Sequence, residues 1–119
     1  MGAVDFYCEV EGENAQDAFT QAQADALYWH GHSGYTGTVA EKMSFKLFGC
    51  PTSGVTARDV VDAILIDEHL RNDNDRLIEL GYTKDMAWDI ANTYFDKWGD
   101  ALCIKTGDKS YAFAGIASV

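Results

Sequence analysis

The residue types best suited to chemistry are concentrated in one glycine-rich stretch, residues 28–42. Its fifteen residues include three glycines, two histidines, several hydroxyl side chains and an adjacent acid–base pair. Glycines flanked by hydroxyls can turn backbone N–H groups towards an anion, as phosphate-binding loops do. The stretch is therefore a candidate site for a nucleotide or another anion. Its candidate ligand-binding residues are His30, His32, Ser33, Tyr35, Thr36, Thr38 and Glu41.

The order of elements around this stretch differs from that of a Walker phosphate-binding loop. The stretch follows a predicted helix and precedes a predicted strand, whereas a Walker loop follows a strand and ends in Gly-Lys-Ser or Gly-Lys-Thr. Lys42 lies five residues after Gly37, within the predicted strand. The alternative interpretation is a structural connection whose glycines adopt positive φ angles, with Tyr28 and Tyr35 as packing anchors.

The two histidines of the stretch also form a His-x-His pair. His30 and His32 could supply two metal ligands, but zinc sites use three or four protein ligands. A further ligand would have to come from His69 or Glu41 through the fold. Because no complete ligand set is visible in the sequence, we predict no metal site and no cofactor.

A covalent mechanism would need a nucleophile within hydrogen-bond reach of a base, and a third group that orients the base. His32 and Ser33 are neighbours in sequence, which does not place either to activate the other. A hydrolase or transferase that uses His32, Tyr35, Thr36 and Glu41 remains an alternative. We assign no catalytic residue, and a non-enzymatic role is the leading hypothesis.

The chain is strongly acidic, with 19 acidic against 9 basic residues and a formal net charge of −10. Phosphate backbones attract basic surfaces, so direct binding to nucleic acid is not expected. The segment 58–100 holds eleven acids and five bases. These acids form either a solvated face that favours solubility or a surface that competes with nucleic acid for a basic partner. The candidate partner surface comprises Asp59, Asp62, Asp67, Glu68, Asp73 and Asp75.

Hydrophobic periodicity predicts the elements of the first half of the chain. Apolar residues alternate with polar ones from Val4 to Val10, as in a half-buried strand. Asn14 is a predicted N-cap for a helix with a narrow, alanine-rich apolar face, and Gly31 is its predicted stop. A second strand is predicted over about residues 38–48, where Met43, Phe45 and Leu47 alternate with polar residues.

The second half of the chain is predicted to form helices followed by a β-hairpin. A helix is predicted from Thr56 to about residues 69–71, and a short one over residues 77–80 is closed by Gly81. A further helix is capped by Thr83, includes Trp98 on its apolar face and stops at Gly99. Strands over 101–106 and 110–117 flank a Gly-Asp turn.

This element order predicts an α+β fold in a single domain spanning residues 1–119. We expect one mostly antiparallel sheet of about four strands, with three or four helices packed mainly on one of its faces. Strand order and oligomeric state are left open. Three cysteines without a Cys-x-x-Cys pair favour neither a disulfide framework nor a zinc site, and a reducing cytoplasm fits them. No signal peptide and no membrane span are predicted.

Three segments of the chain resemble a family of small proteins encoded by tailed bacteriophages. The segment Gly31–Lys42 resembles their Gly-His-x-Gly-Tyr-Thr-Gly-Thr-[Ile/Val]-Ala-Glu-Lys motif, and segments 97–104 and 111–118 resemble their C-terminal ends. The family often has Gly-Trp-Ala-Ser where this chain has Gly-Ile-Ala-Ser from Gly115, so no role is carried over for that tryptophan. The resemblance implies a phage origin and the cytoplasm of an infected bacterium, but no particular reaction.

These observations lead to a functional hypothesis with one alternative. The hypothesis is a small acidic phage accessory protein that binds a host protein, possibly a nucleic-acid-binding defence complex, as an anti-CRISPR-type inhibitor would. The alternative is a nucleotide- or anion-binding protein, or a small enzyme, that uses the glycine-rich loop from His30 to Thr38.

Overall fold

A four-stranded sheet with strand order β1-β4-β3-β2 forms the centre of the protein. The structure is a computed structural model that describes residues 2–30 and 37–118. β1–β4 and β4–β3 are antiparallel, whereas β2–β3 is parallel, which confirms the predicted α+β class with a mostly antiparallel sheet. The elements are β1 (Ala3–Glu11), α1 (Ala15–His30), a 3₁₀ turn (Val39–Glu41), β2 (Phe45–Gly49), α2 (Ala57–Leu70), α3 (Asp75–Leu80), α4 (Lys84–Phe95), β3 (Ala101–Lys105) and β4 (Ser110–Ser118).

Helices cover both faces of this sheet. Helices α2, α3 and α4 pack on one face, where Leu102 and Ile104 of β3 are buried. Helix α1 packs on the other face, against Cys103 and Phe113. The prediction that the helices pack mainly on one face of the sheet is thus confirmed, because three of the four helices lie there. Because both faces are covered, β3 and β4 are apolar along most of their length, as strands buried on two sides are.

Side-chain caps determine where the helices begin. Asn14, Thr56 and Thr83 each accept a hydrogen bond from the backbone N–H three residues later, as the sequence predicted. Gly81 closes α3 with φ 122, a conformation that side-chain-bearing residues rarely adopt. The helix starts and the end of α3 are thus set by short-range chemistry that is readable in the sequence.

The strand predicted over residues 38–48 is shorter and begins later. Residues Val39–Glu41 form a 3₁₀ turn whose N-cap is Thr38, and β2 starts only at Phe45. Met43 is 91% exposed and Leu47 is 47% exposed, so the alternating apolar residues do not all face a core. Apolar and polar residues do alternate here, but only part of the segment forms a strand, and not every apolar residue in it is buried.

Helix α4 ends at Phe95 and not at Gly99, so the expectation for Trp98 was wrong. The Asp96 side chain accepts a hydrogen bond from the Trp98 N–H at 3.1 Å, a local turn that competes with the helix. Asp96 itself has extended dihedral angles. Trp98 is consequently 67% exposed and lies outside the helix.

Candidate functional site

A groove of about 470 Å³ lies between α1 and β1, and the described ends of the glycine-rich stretch border it. Trp29 lines the groove at the end of α1, and residues 37–39, the first described residues after α1, line it as well. Small ligands and short segments of other proteins occupy grooves of this size. The structure thus places a cavity beside the stretch that the sequence singled out.

The charge of this groove is negative. Asp25 of α1 contributes a carboxylate, and no lysine or arginine is among its described lining residues. Asp5 and Glu9 of β1 also border the groove, but their side chains alternate to the other face of the sheet, the face of Tyr7. The floor is apolar, with Phe6 and Val10 of β1. A nucleotide phosphate would meet repulsion from these walls, whereas a cationic group would be attracted.

Most of the predicted loop-site residues lie outside the described part of the chain. These are His32, Ser33, Tyr35 and Thr36, together with the side chain of His30. The predicted helix stop at Gly31 also lies there. Of the remaining two candidates, Thr38 accepts a hydrogen bond from the Ala40 N–H at 3.2 Å, and Glu41 is half-buried in the 3₁₀ turn.

The described end of the stretch is anchored as a structural connection. Gly37 is buried, adopts φ 71 and donates its N–H to the Ser118 carbonyl at 2.8 Å. The Gln23 amide of α1 donates to the Lys42 carbonyl at 2.6 Å and to the Val39 carbonyl at 3.4 Å. These bonds join the connection to both α1 and the end of β4, which supports the connector interpretation for residues 37–42.

Lys42 has a structural position that sequence reasoning missed. Its side chain is 2% exposed, and Nζ donates to the carbonyls of Asp96 and Lys97 at 2.7 and 3.3 Å. Burial lowers the pKa of Lys42, while the carboxylates of Asp96 and Asp100 act in the opposite direction. The ammonium holds the turn that follows α4, where the Asp96 carbonyl also accepts the Gly99 N–H at 3.3 Å.

Part of the predicted acidic surface comes together between α2 and α3. Asp59 and Asp62 line a shallow groove of about 180 Å³ with Glu79 and Ile66, and Ile66 is 39% exposed. Two bases partly balance these acids, because Arg58 lies 3.5 Å from Asp62 and Arg76 lies 4.0 Å from Glu79. We call the set Asp59, Asp62, Ile66 and Glu79 the α2–α3 surface.

Asp67 does not belong to any partner surface, which corrects the sequence-based assignment. It is 2% exposed, and its carboxylate accepts hydrogen bonds from the N–H groups of Arg76 and Leu77 at 3.0 and 3.4 Å. It therefore caps the start of α3 from within α2. A signal was available: Asp67 follows Val60 and Ile64 on the apolar stripe of α2, where an acid needs buried partners.

The other three predicted partner residues are exposed but do not extend the α2–α3 surface as one face. Glu68 lines a separate groove between α2 and α4, together with the 64%-exposed Trp88. Asp73 lies in the connection between α2 and α3, and Asp75 is the first residue of α3. Asp59 also has a second role, because its carboxylate accepts the Thr56 N–H in a capping box.

The cysteines lack the surroundings of reactive thiols. Burial raises the pKa of Cys8 to about 11 and that of Cys103 to about 12. Burial and the nearby Asp59 also raise the pKa of Cys50. The thiolate, which is the nucleophile and metal ligand, is thus disfavoured at all three positions. Over residues 2–30 and 37–118, no three His, Cys, Asp or Glu side chains are grouped so that they could hold a metal ion.

Comparisons with protein-family models, with curated proteins and with solved structures found no match to this chain. Within the described part of the chain, no helix combines the length and apolar character needed to cross a bilayer.

Proposed function

We propose that this protein acts by binding a basic macromolecular partner through the α2–α3 surface. The observation that carries this proposal is the arrangement of Asp59, Asp62 and Glu79 around the partly exposed Ile66. Protein interfaces commonly combine an apolar centre with a polar rim. The surplus of acids over bases supplies a long-range attraction for a basic surface.

The proposed partner is a host protein in the cytoplasm of a phage-infected bacterium. Two features support it: the resemblance to small phage proteins and the net charge of −10. In its most concrete form the protein is an anti-CRISPR-type inhibitor that occupies a basic groove otherwise used by nucleic acid. It needs no catalytic group of its own for this role.

The binding proposal is tested by affinity purification from host cells followed by native mass spectrometry. The parent should copurify with a stoichiometric partner. Asp62→Lys with Glu79→Lys should lose that partner, because two carboxylates of the α2–α3 surface become cations. The matched control is Asp17→Lys with Asp108→Lys, which changes the net charge equally at exposed positions elsewhere. Equal recovery of the partner by both folded variants would overturn the proposal.

The counter-defence form has its own assay. A phage targeted by a host CRISPR system should form more plaques on cells that express the parent protein than on cells that express the α2–α3 variant. Equal, low plaque counts for the two proteins would exclude inhibition of that system while leaving the purification result standing.

A further inference from the structure

The outer edge of β1 is unpaired in the described part of the chain. β1 pairs with β4 on one side, and it is the first strand in the sheet order. The Gly12 N–H donates to the Lys109 carbonyl, so the even-numbered residues of β1 direct their main-chain groups towards β4. The N–H and C=O groups of Asp5, Tyr7 and Glu9 consequently point away from the sheet, towards the free edge.

This free edge forms one wall of the groove beside α1. Six consecutive residues of β1, from Asp5 to Val10, line the groove. The opposite wall is α1, where Ala22 and Ala26 leave room because their side chains are small. Trp29 stands at the end of this wall and is 77% exposed. The groove thus offers hydrogen-bonding main chain on one side and apolar surface on the other.

We propose that this groove binds an extended basic peptide segment of another protein, which adds to the sheet as a strand beside β1. Strand addition gives the outward-pointing main-chain groups hydrogen-bond partners. Alternate side chains of the added segment then contact the two sides of the groove. On the α1 side, the segment would present apolar residues to Phe6, Val10 and Ala26. On the other side, it would present Lys or Arg to the carboxylates of Asp5 and Glu9.

The negative charge of β1 favours a basic segment over a second copy of the chain as the occupant of the groove. Pairing β1 with the β1 strand of another copy would bring Asp5 and Glu9 near the same acids, between two molecules that each carry a net charge of −10. Like charges on neighbouring strands are destabilising. A basic segment turns the same carboxylates into attractive partners, and Asp25 adds a negative charge on the α1 side of the groove. Arg58, which lies over the Tyr7 ring, offsets part of the attraction on the other side.

The peptide site is distinct from the α2–α3 surface and does not rest on the function proposed for that surface. The groove is formed by β1 and α1, whereas Asp62 and Glu79 lie on helices that cover the opposite face of the sheet. Arg58, the ion-pair partner of Asp62, lies 5.1 Å from the centre of the Tyr7 ring, so Asp62→Lys also changes the charge near β1. Asp25→Lys, on α1, is therefore the variant that tests the peptide site alone.

The probe is a short, blocked peptide in which Lys and Val alternate, and binding is followed by NMR chemical-shift titration. We expect a Kd below about 1 mM, with shifts concentrated in the amides of β1 and the C-terminal half of α1. A peptide in which Pro replaces every Val keeps the charge, but it lacks the apolar Val side chains and has φ fixed at about −65° at alternate positions, which disfavours a strand. A peptide that alternates Glu and Val keeps the donors but reverses the charge. Both should bind at least about tenfold more weakly.

Two protein variants locate the site. Glu9→Pro removes an outward N–H and the Glu9 carboxylate, and it should weaken binding at least about tenfold. An edge strand tolerates this change since no ladder bond is lost. Asp25→Lys should do the same by placing a cation in the groove, and it serves if Glu9→Pro does not fold. Asp17→Lys, on the same helix but outside the groove, is the matched control and should bind as the parent does.

Three results would overturn the proposal. The first is no titration by the Lys-Val peptide. The second is equal binding of the Lys-Pro peptide, which would mean attraction by charge alone. The third is a dimeric protein that Glu9→Pro converts to a monomer, which would show that a second copy occupies the edge.

Discussion

Gly37 and Lys42 hold the end of the glycine-rich stretch in place by different physical means. Gly37 supplies a positive φ angle, and Lys42 supplies a buried cation for carbonyls after α4. The first role was predictable, because glycine is the usual residue wherever φ is positive. The second was not, because the two carbonyls lie 54 and 55 residues further along the chain.

Gly37→Ala should destabilise the protein by roughly 1 kcal/mol or more, since alanine is strained at φ 71. Urea unfolding measures the change. Gly107→Ala is a suitable comparison, because Gly107 lies in the β3–β4 turn without a positive φ and an added Cβ would meet only ordinary contacts there. Equal losses at the two positions would mean that the backbone conformation of Gly37 is not the cause.

Lys42→Met should cost roughly 1–3 kcal/mol of unfolding free energy, because carbonyls beside a buried site lose their charged donor. The matched control is Lys46→Met. Lys46 contacts Asp89 at 2.6 Å, but both side chains are substantially exposed, and such surface pairs contribute about 0–1 kcal/mol. Chemical denaturation of both variants decides the point, and a smaller loss for Lys42→Met than for Lys46→Met would contradict the structural role.

At the scale of elements, α3 depends on a residue outside itself. Its N-cap position, Asn74, makes no side-chain capping bond, and Asp67 of α2 takes the N–H groups of Arg76 and Leu77 instead. The caps at Asn14, Thr56 and Thr83 act within three residues and were predictable. Asp67 acts over nine and ten residues, so its role emerges only when α2 and α3 are packed together.

Asp67→Ala should destabilise the protein by roughly 1–3 kcal/mol, because two helix N–H groups and the Asn72 amide lose an acceptor. Hydrogen exchange should show faster exchange of the Arg76 and Leu77 amides in particular. Asp62→Ala on the same helix removes only an exposed ion pair and should change little. Unaltered protection of α3 in Asp67→Ala would refute the capping role.

Sequence periodicity located the helices and the hairpin but misplaced β2 and the end of α4. Both errors concern segments where a long-range contact or a local turn replaces the regular element: Lys42 buried against the end of α4, and the Asp96 turn before Trp98. The α1–β1 groove could not be predicted either, because strand order decides that β1 is an edge. The sequence pattern shows where polar and apolar residues alternate, but it does not show which strand lies at the edge of the sheet.

At the scale of the whole molecule, several buried acidic groups make stability sensitive to alkaline pH. Burial raises the pKa of Cys103 to about 12 and that of Cys8 to about 11. Burial and the neighbouring Asp5 carboxylate raise the pKa of Tyr94 to about 12, and burial also raises that of Tyr82. Their folded pKa values exceed the ordinary values, so the folded state holds more protons than the unfolded state at alkaline pH.

The stabilising effect of these groups should therefore be complete below about pH 9 and decline as pH rises towards 12. Lys42 acts in the opposite direction, because its pKa is lowered, but it is one group against these four and against Cys50 and Tyr7, whose pKa values burial also raises. Urea midpoints measured across this range should fall in the parent and fall less steeply in Cys103→Ala. A midpoint that stays constant or rises with pH in the parent would contradict the burial of these groups.

The central claim is that exposed carboxylates on α2 and α3 bind a basic host partner, and the salt dependence of that affinity tests it most directly. The purified partner should be titrated with the parent, with Asp62→Lys/Glu79→Lys and with Asp17→Lys/Asp108→Lys over a series of salt concentrations. Affinity of the parent and of the control should fall as salt screens exposed charges, over about 10 Å at 0.1 M. The α2–α3 variant should bind more weakly at low salt and show a flatter dependence. An affinity for the parent that does not change with salt, or an α2–α3 variant indistinguishable from the control, would contradict the account.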